Sequence, residues 1–344
     1  MNVILYESDT LFADLREEWD ELLEDHRGNQ IFLTWDWQSI WWEVYQPGRI
    51  WALVARDEAD NRLLGIAPWF IDEMINGKRV IRTIGCVDVT DYLDVVAREG
   101  REREVYGAFA DFLSNHTDSF DEIRLCNVPE SSVALNLFPD ILRERGFVVE
   151  VQVQEVCPVV TLPGEWAVYL ASLDKKNRHE LRRKLRRASG AAVDWYIVGP
   201  EHNLDAELNC FMTLMARSSD EKALFLKEHP NAEFFRKVVH RMAERGWLQL
   251  AFLTVNGVEA AAYLNFDYDN RVLVYNSGND PAQFGHLSPG ITLLARLIEY
   301  AIQRGRSEFD FLRGDEPYKY DMGGKDINVY QIAIDHRGDG ADAA

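Results

Sequence analysis

Apolar and polar positions along this chain spell out the same order of elements twice. Between residues 11 and 24, Leu11, Phe12, Leu15, Trp19, Leu22 and Leu23 recur at helical spacing and predict an amphipathic helix. Apolar runs at 51–56 and 63–71 predict buried strands on either side of a polar turn. Asn76-Gly77 marks a hairpin, followed by a third strand at 79–85, a polar loop at 88–94, a helix at 102–114 and a closing strand at 121–126. The second half opens on helical patterns at 209–218 and 231–246. It continues through strands at 248–255, 259–266 and 271–276, with turns at Asn256-Gly257 and Asp269-Asn270. A Gly/Pro/Ser loop at 278–288, a helix at 289–304 and a strand at 308–312 complete it. Each half is three antiparallel strands, a loop, a helix and a return strand. The helical crossover requires the return strand to run parallel to a near neighbour.

Between the halves, 149–162 reads as a strand and 170–187 as a helix. We divide the chain into 1–155, 156–336 and a small polar tail, 337–344, expected to fray. The expected class is α+β, with mixed, mostly antiparallel sheets flanked by helices. A length of 344 suits two domains, and 47% hydrophobic with 27% charged residues is ordinary globular usage. No apolar run approaches the ~18 residues of a membrane span. Residues 1–12 lack the basic start of a signal peptide. Cys86, Cys126, Cys157 and Cys210 form no CxxC, so neither a disulfide framework nor a zinc knuckle is expected. A cytoplasmic protein without stable membrane insertion follows as the expectation.

A net charge of −20 argues against nucleic-acid binding over the whole surface. Against that background, KKNRHELRRKLRR at 175–187 holds eight Lys/Arg and one Glu. Lys175, Arg178, Arg182 and Arg186 share one helical side, a stripe suited to CoA phosphates, a nucleotide-linked precursor, tRNA or anionic lipid. The plainer alternative is a solvated face neutralised by acids such as Glu17, Glu18, Glu21 and Glu24. The helix start at 286–290 places Ser288 as N-cap and Pro289 at the first turn, where free N–H groups favour an anion. An ordinary capped helix reads the same way. Among Trp35, Trp37, Trp41 and Trp42, Trp37 could stack on a sugar, with core packing the plainer outcome. No GxSxG, HExxH, Walker or EF-hand motif occurs, the eight histidines are dispersed, and no metal site is expected. Cys157 and Cys210 read as buried thiols.

Two consecutive units of this order resemble tandem GNAT acyltransferase folds. LSPGITLLARLIEYAIQRG and FDFLRGDEPYKYDMGG in the second half, with FLTWDWQSIWW and DVTDYLDVV in the first, are similar to the CelD/BioF-associated acetyltransferase-like group. That group is related to the Fem-type (FemABX-like) peptidoglycan aminoacyltransferases, and the resemblance covers about 1–335. It implies an N-acyltransferase moving an acyl group from acetyl-CoA or another acyl-CoA to a small-molecule, glycan or peptide amine, by direct attack in an inter-domain cleft. Two alternatives stand beside it: a Fem-like transferase using aminoacyl-tRNA, and a catalytically silent binding or assembly module. The superfamily's pyrophosphate loop is replaced by Gln283-Phe284-Gly285-His286-Leu287-Ser288, which fits the Fem-like branch.

By the same resemblance the donor would lie at Leu287, Ser288, Gly290 and Ile291 with Asn276. Lys319 would contact donor phosphate or the transition-state charge. Tyr318 would give the leaving group its proton, with Asp315 in the turn before it. On the acceptor side Asp91 is the preferred base or ammonium holder and Asp94 the second choice, with Tyr92 and Trp37 as further contacts; an Asx turn is the plainer alternative. Arg182 and Arg186 would hold an anionic substrate.

Overall fold

The computed structural model describes residues 1–75, 77–86, 89–190 and 192–336. The chain divides into two compact units, one of residues 1–155 and 328–344, the other of residues 156–327. Asn76 of the expected hairpin, Asp88 of the expected loop and the tail 337–344 lie outside the described residues.

In the first unit, β1 (Asn2–Tyr6), α1 (Thr10–Asp14) and α2 (Arg16–Glu24) precede α3 (Trp35–Tyr45). The helix expected over 11–24 is therefore two, although the same apolar positions are buried. Next come β2 (Arg49–Ile50), β3 (Ala52–Arg56), β4 (Leu63–Ala67), β5 (Trp69–Ile75) and β6 (Lys78–Thr83). The single strand expected over 63–71 breaks at Pro68, which has no N–H to continue a ladder. Its two pieces enter different sheets. β4 joins the order β1-β3-β4-β7, where β7 is Val96–Ala97, while β5 pairs with β6. Helix α4 (Glu102–Asn115) crosses to β8 (Glu122–Pro129), which lies parallel to β6 from Val80↔Glu122 to Arg82↔Arg124. Helix α5 (Val133–Glu144), not foreseen from the sequence, covers this core with α4, burying Phe109, Leu113, Phe138 and Leu142.

Strand β9 (Val148–Thr161) carries the chain into the second unit. The helix expected over 170–187 is α6 (Trp166–Ser172) and α7 (Lys175–Ser189), parted at Leu173 and Asp174. Then follow β10 (Val193–Ile197), α8 (Leu204–Ser218), α9 (Asp220–Lys227) and α10 (His229–Glu244). The sheet continues with β11 (Leu248–Val255), β12 (Val258–Tyr268) and β13 (Arg271–Asn279), turning at Asn256-Gly257 and Asp269-Asn270 as expected. The expected open loop at 278–288 is instead wound into α11 (Pro281–Phe284) and a 3-10 turn at Gly285–Leu287. Asp280 starts it: its Oδ1 accepts from the Gln283 N–H, and Pro281 occupies the first helical position. Helix α12 (Pro289–Gln303) leads to β14 (Glu308–Asp310), parallel to β13. The turn expected at 315–317 runs into a short helix, α13 (Pro317–Asp321), and β15 (Lys325–Asp335) ends the described chain. The second unit's sheet has the order β10-β11-β12-β13-β14-β9, and α12 lays Leu293, Leu294, Leu297 and Ile298 into its core.

Cys86 and Cys126, expected free, are joined as a disulfide with Cα atoms 6.2 Å apart. Forty residues of sequence part them, and only the parallel pairing of β6 with β8 brings them together. Cys157 is buried as expected. Cys210 is half-buried, and burial foremost pushes its thiol up to about 11.

Candidate active site

In the second unit, strand length creates a fork. β13 runs nine residues and β14 three, so the parallel pair covers only Arg271↔Glu308 to Leu273↔Asp310. Opposite Leu264 and Asn265 of β12 the register skips Tyr275, a β-bulge that bends β13 just past the last paired residue. The chain after β14 stays with β9, through Phe311 N–H to the Pro158 carbonyl and Gly314 N–H to the Val156 carbonyl, each 3.0 Å. Residues 274–279 of β13 are thus left without a parallel neighbour.

The exit from β14 is tightly built. Asp310 Oδ1 accepts from the Leu312 N–H at 2.7 Å, and Leu312 is left-handed at φ 56°. The carbonyls of Leu312, Arg313 and Gly314 then converge on Lys319 Nζ at 3.2, 2.6 and 3.1 Å. Glu316 Oε2 adds an ion pair at 2.9 Å. Lys319 is 2% exposed, a buried ammonium on a seat of carbonyls. Tyr318 packs edge-on to Phe311, and burial raises its phenol above the usual range. Asp315 is exposed.

A residue that sequence reasoning passed over stands across the fork. Lys222 of α9 donates to the Ser277 carbonyl of β13 at 2.6 Å. Among the described residues no carboxylate lies within ion-pair distance of it. Burial foremost, and Lys319 among its neighbours, lower its pKa to about 8 against the pull of Glu316 and Glu221. Tyr263 of β12, in register with Ser277, is buried and its phenol is raised, by burial first and then by the charges of Tyr318 and Glu316. The fork therefore gathers Lys222, Lys319, Glu316, Tyr318 and Tyr263. Gly278 fixes one wall: a Cβ there would strike the backbone of Leu214 and Met215, so α8 lies directly against β13.

The start of α12 differs from expectation in one respect. Ser288 holds the N-cap position but is left-handed at φ 52°, and its hydroxyl caps nothing. Its carbonyl accepts from the Thr292 hydroxyl and N–H. Among the described residues no protein acceptor is found for the N–H groups of Gly290 and Ile291, as at most helix starts. Leu287 turns its side chain into the core, and Asn276 folds its carboxamide onto the Ser277 N–H at 2.8 Å. Arg187 ties α7 to this loop by donating to the His286 carbonyl at 2.8 Å. Arg183 and Lys184 pair with Glu180, whereas Arg182 and Arg186 are exposed with no acid partner. Two of the four acids expected to neutralise the stripe are engaged elsewhere: Glu18 holds Arg56, and Glu21 holds Arg62 and Arg98.

The acceptor candidates lie in the first unit. Asp91 is half-buried on its loop. Asp94 is corrected to a structural role: Oδ1 accepts from the Ser132 hydroxyl and the Val95 N–H, both at 2.8 Å, and Oδ2 faces His26 Nε2 at 3.6 Å. Tyr92 is buried edge-on to Phe32, leaving no surface for a substrate. Trp37 is fully buried, with Nε1 donating to Thr90 Oγ1 at 3.1 Å, so it is core and offers no stacking face. Among the described residues no cluster of His, Cys, Asp and Glu could hold a metal ion, and no helix is long and apolar enough to cross a membrane.

Residues 175–320 match the family of acetyltransferase (GNAT) domains. No curated protein matches the sequence. Among solved structures, FemX is similar at TM-score 0.65 and 11% identity, covering 96% of this chain and 97% of its own. L-PGS from Bacillus licheniformis is similar at TM-score 0.56 and 10% identity, over 94% and 92%. A tandem GNAT protein from the clavulanic acid biosynthesis pathway follows at TM-score 0.50 and 12% identity, over 97% and 98%. At such identities the likeness is one of fold, and it spans both units. The strand–strand–strand–helix–strand order found twice, the fork in the second unit and the domain match over 175–320 give the second unit a GNAT acetyltransferase domain, in a chain that shares its fold with FemX and with a tandem GNAT protein.

Proposed function

We propose that the chain is an N-acyltransferase that joins an amine to an acyl group at the β13/β14 fork, and that its donor is an aminoacyl ester of tRNA. The observation that carries the donor assignment is α7. Lys175, Lys176, Arg182 and Arg186 are exposed on it without acid partners in a chain of net charge −20, along a helix of about 22 Å. A row of phosphates fills such a stripe better than the two phosphate positions of CoA. The wound loop at 281–287 also leaves only two free N–H groups where a pyrophosphate would need more. The free N–H groups of Gly290 and Ile291 favour the second reading, an acyl-CoA donor, which ranked first from the sequence alone.

Within the fork, attack of the amine on the ester carbon develops negative charge on the carbonyl oxygen. The buried Lys319 ammonium would favour that charge through its field, its own donors being taken by the three carbonyls and Glu316. Tyr318, kept protonated by burial, would hydrogen-bond the leaving oxygen. Neither step uses a covalent enzyme intermediate. Asp91 is retained as the proposed holder of the acceptor's ammonium.

The test measures binding of aminoacyl-tRNA and of acetyl-CoA between 50 and 300 mM salt, with transfer to an amine panel as readout. Aminoacyl-tRNA should bind with a steep salt slope, and Arg182→Glu with Arg186→Glu should flatten that slope by about 2 phosphate contacts. Binding and turnover with acetyl-CoA alone would install the second reading. Consumption of neither donor would remove the enzymatic one.

A further inference from the structure

We propose that Lys222 is the proton acceptor for the attacking amine. This inference rests on the acyl-transfer reading above and adds a residue and a step to it. Two lysines line one fork, and their surroundings differ. Lys319 gives its donors to three carbonyls and a carboxylate. Lys222 reaches a single carbonyl, that of Ser277, and is offered no carboxylate within 4 Å. The titratable groups facing it are Glu221 on its own helix and Glu316 and Lys319 across the fork. A half-buried and a buried ammonium group sharing one nearby exposed carboxylate repel each other, and the one with fewer acceptors loses its proton first. A neutral amine near pH 8 is then available where the acceptor must shed a proton.

Placement supports the role. The Ser277 carbonyl lies on the stretch of β13 that has no parallel neighbour, so Lys222 points along the open arm of the fork. Gly278 presses α8 onto β13, and Ser219, capping α9 through the Lys222 N–H, fixes the helix that carries the lysine. The step balances as follows. The acceptor arrives as an ammonium with three protons on nitrogen. One goes to the Lys222 lone pair and later to solvent. The freed nitrogen pair forms the bond to the acyl carbon. As the acyl–oxygen bond breaks, a second proton passes to the leaving oxygen. The third remains on the amide.

Two measurements on the full chain test this. In the first, acetic anhydride labels lysines across pH 6–11, and mass spectrometry follows the modification of Lys222. Its midpoint should fall near 8, more than tenfold in proton affinity below exposed lysines at ~10.4. In the second, Lys222→Arg and Lys222→Met are compared with wild type in the transfer reaction identified above. Lys222→Arg keeps a donor for the Ser277 carbonyl but cannot accept a proton. It should fold, hold the donor KM, and lose at least 100-fold in kcat along with the rise in rate through pH 8. Added methylamine should restore part of the rate in Lys222→Met. A Lys222 midpoint among the ordinary lysines overturns the inference whatever the activity. So does Lys222→Arg with the wild-type pH limb, and loss of that limb in Asp91→Asn alone would give the role to Asp91. A wild-type protein that transfers nothing fails at the earlier step and takes this inference with it.

Discussion

Replacing Lys319 by Met tests the seat of carbonyls directly. The change keeps most of the buried volume and deletes the ammonium that Leu312, Arg313 and Gly314 share. A buried acceptor left without its donor costs about 1–3 kcal/mol. The Leu312 carbonyl is buried, whereas water can reach those of Arg313 and Gly314, so roughly 2–4 kcal/mol is lost in all. Removing a buried charge returns part of that, and a net loss of about 1–3 kcal/mol is expected. For a unit of this size each kcal/mol moves Tm by about 2–4 °C, which sets the expected drop at about 2–12 °C. Calorimetry of wild type, Lys319→Met and Glu316→Gln reads the effect. Glu316 is exposed, and its loss leaves the three carbonyl bonds in place, so Glu316→Gln should stay within about 0.5 kcal/mol of wild type. Turnover is then compared at a temperature well below both melts, which separates loss of charge at the fork from loss of fold. A Tm unchanged in Lys319→Met, or an equal drop in Glu316→Gln, would refute the carbonyl seat as what holds this turn.

Two further outcomes follow from the packing. Gly278→Ala should push α8 off β13, cost about 1–3 kcal/mol and lower turnover by moving Lys222 from Ser277, whereas Gly285→Ala, with open space at its Cβ, should be neutral; equal melting of the two variants would remove the close approach from the argument. In the first unit, burial lowers the pKa of His26, but Asp94, the Ala97 carbonyl and Glu102 raise it further, and the net shift is upward. A raised folded pKa contributes stability fully below the unfolded value of about 6.5 and loses it as pH climbs through the folded value. Urea midpoints should therefore fall with rising pH above 6.5, and Asp94→Asn should flatten that fall; an unchanged slope in Asp94→Asn would detach it from this pair.

The second unit was largely legible because its turns carry strong local chemistry. Asn256-Gly257 and Asp269-Asn270 adopt the left-handed backbone those residues favour, and the strands between them could be read almost to the residue. The misses have local causes too. Pro68 interrupts an apolar run that otherwise looks continuous, and Asp280-Pro281 is a helix start hidden in a Gly-rich stretch. Helix α9 is eight residues without a clear apolar stripe, and none of its residues is fully buried. Its signal is Ser219 followed by Asp220 and Glu221, a capping pattern, and it locates a helix without saying that Lys222 enters a fork. That information is tertiary: it exists only once the β13 bulge and the short β14 have opened the strands. The donor side was readable for the same reason it was ambiguous. A helix start and a basic stripe are local patterns, and only the folded chain shows that Ser288 does not cap and that Glu18 and Glu21 are paired with Arg56 and Arg62.

The duplication also bears on how many reaction centres the chain has. In the first unit the parallel pair ends at Arg82↔Arg124, with Cys86 four residues further on one strand and Cys126 two further on the other. In the second it ends at Leu273↔Asp310, with Ser277 four residues on and Leu312 two residues on. The positions correspond. Where the first unit places a disulfide across its fork, the second presents the two carbonyls that receive Lys222 and Lys319. The first fork is closed further by Arg82 donating to the Cys86 carbonyl at 2.9 Å and Asn127 to the Thr90 carbonyl at 2.8 Å. A covalent crosslink ties the two strands together at the mouth, where Ser277 and Leu312 of the second unit have none. One copy of the repeat thus carries a crosslink where the other carries the carbonyls bonded by Lys222 and Lys319, so the two forks differ at matching positions and the proposed chemistry falls to the second.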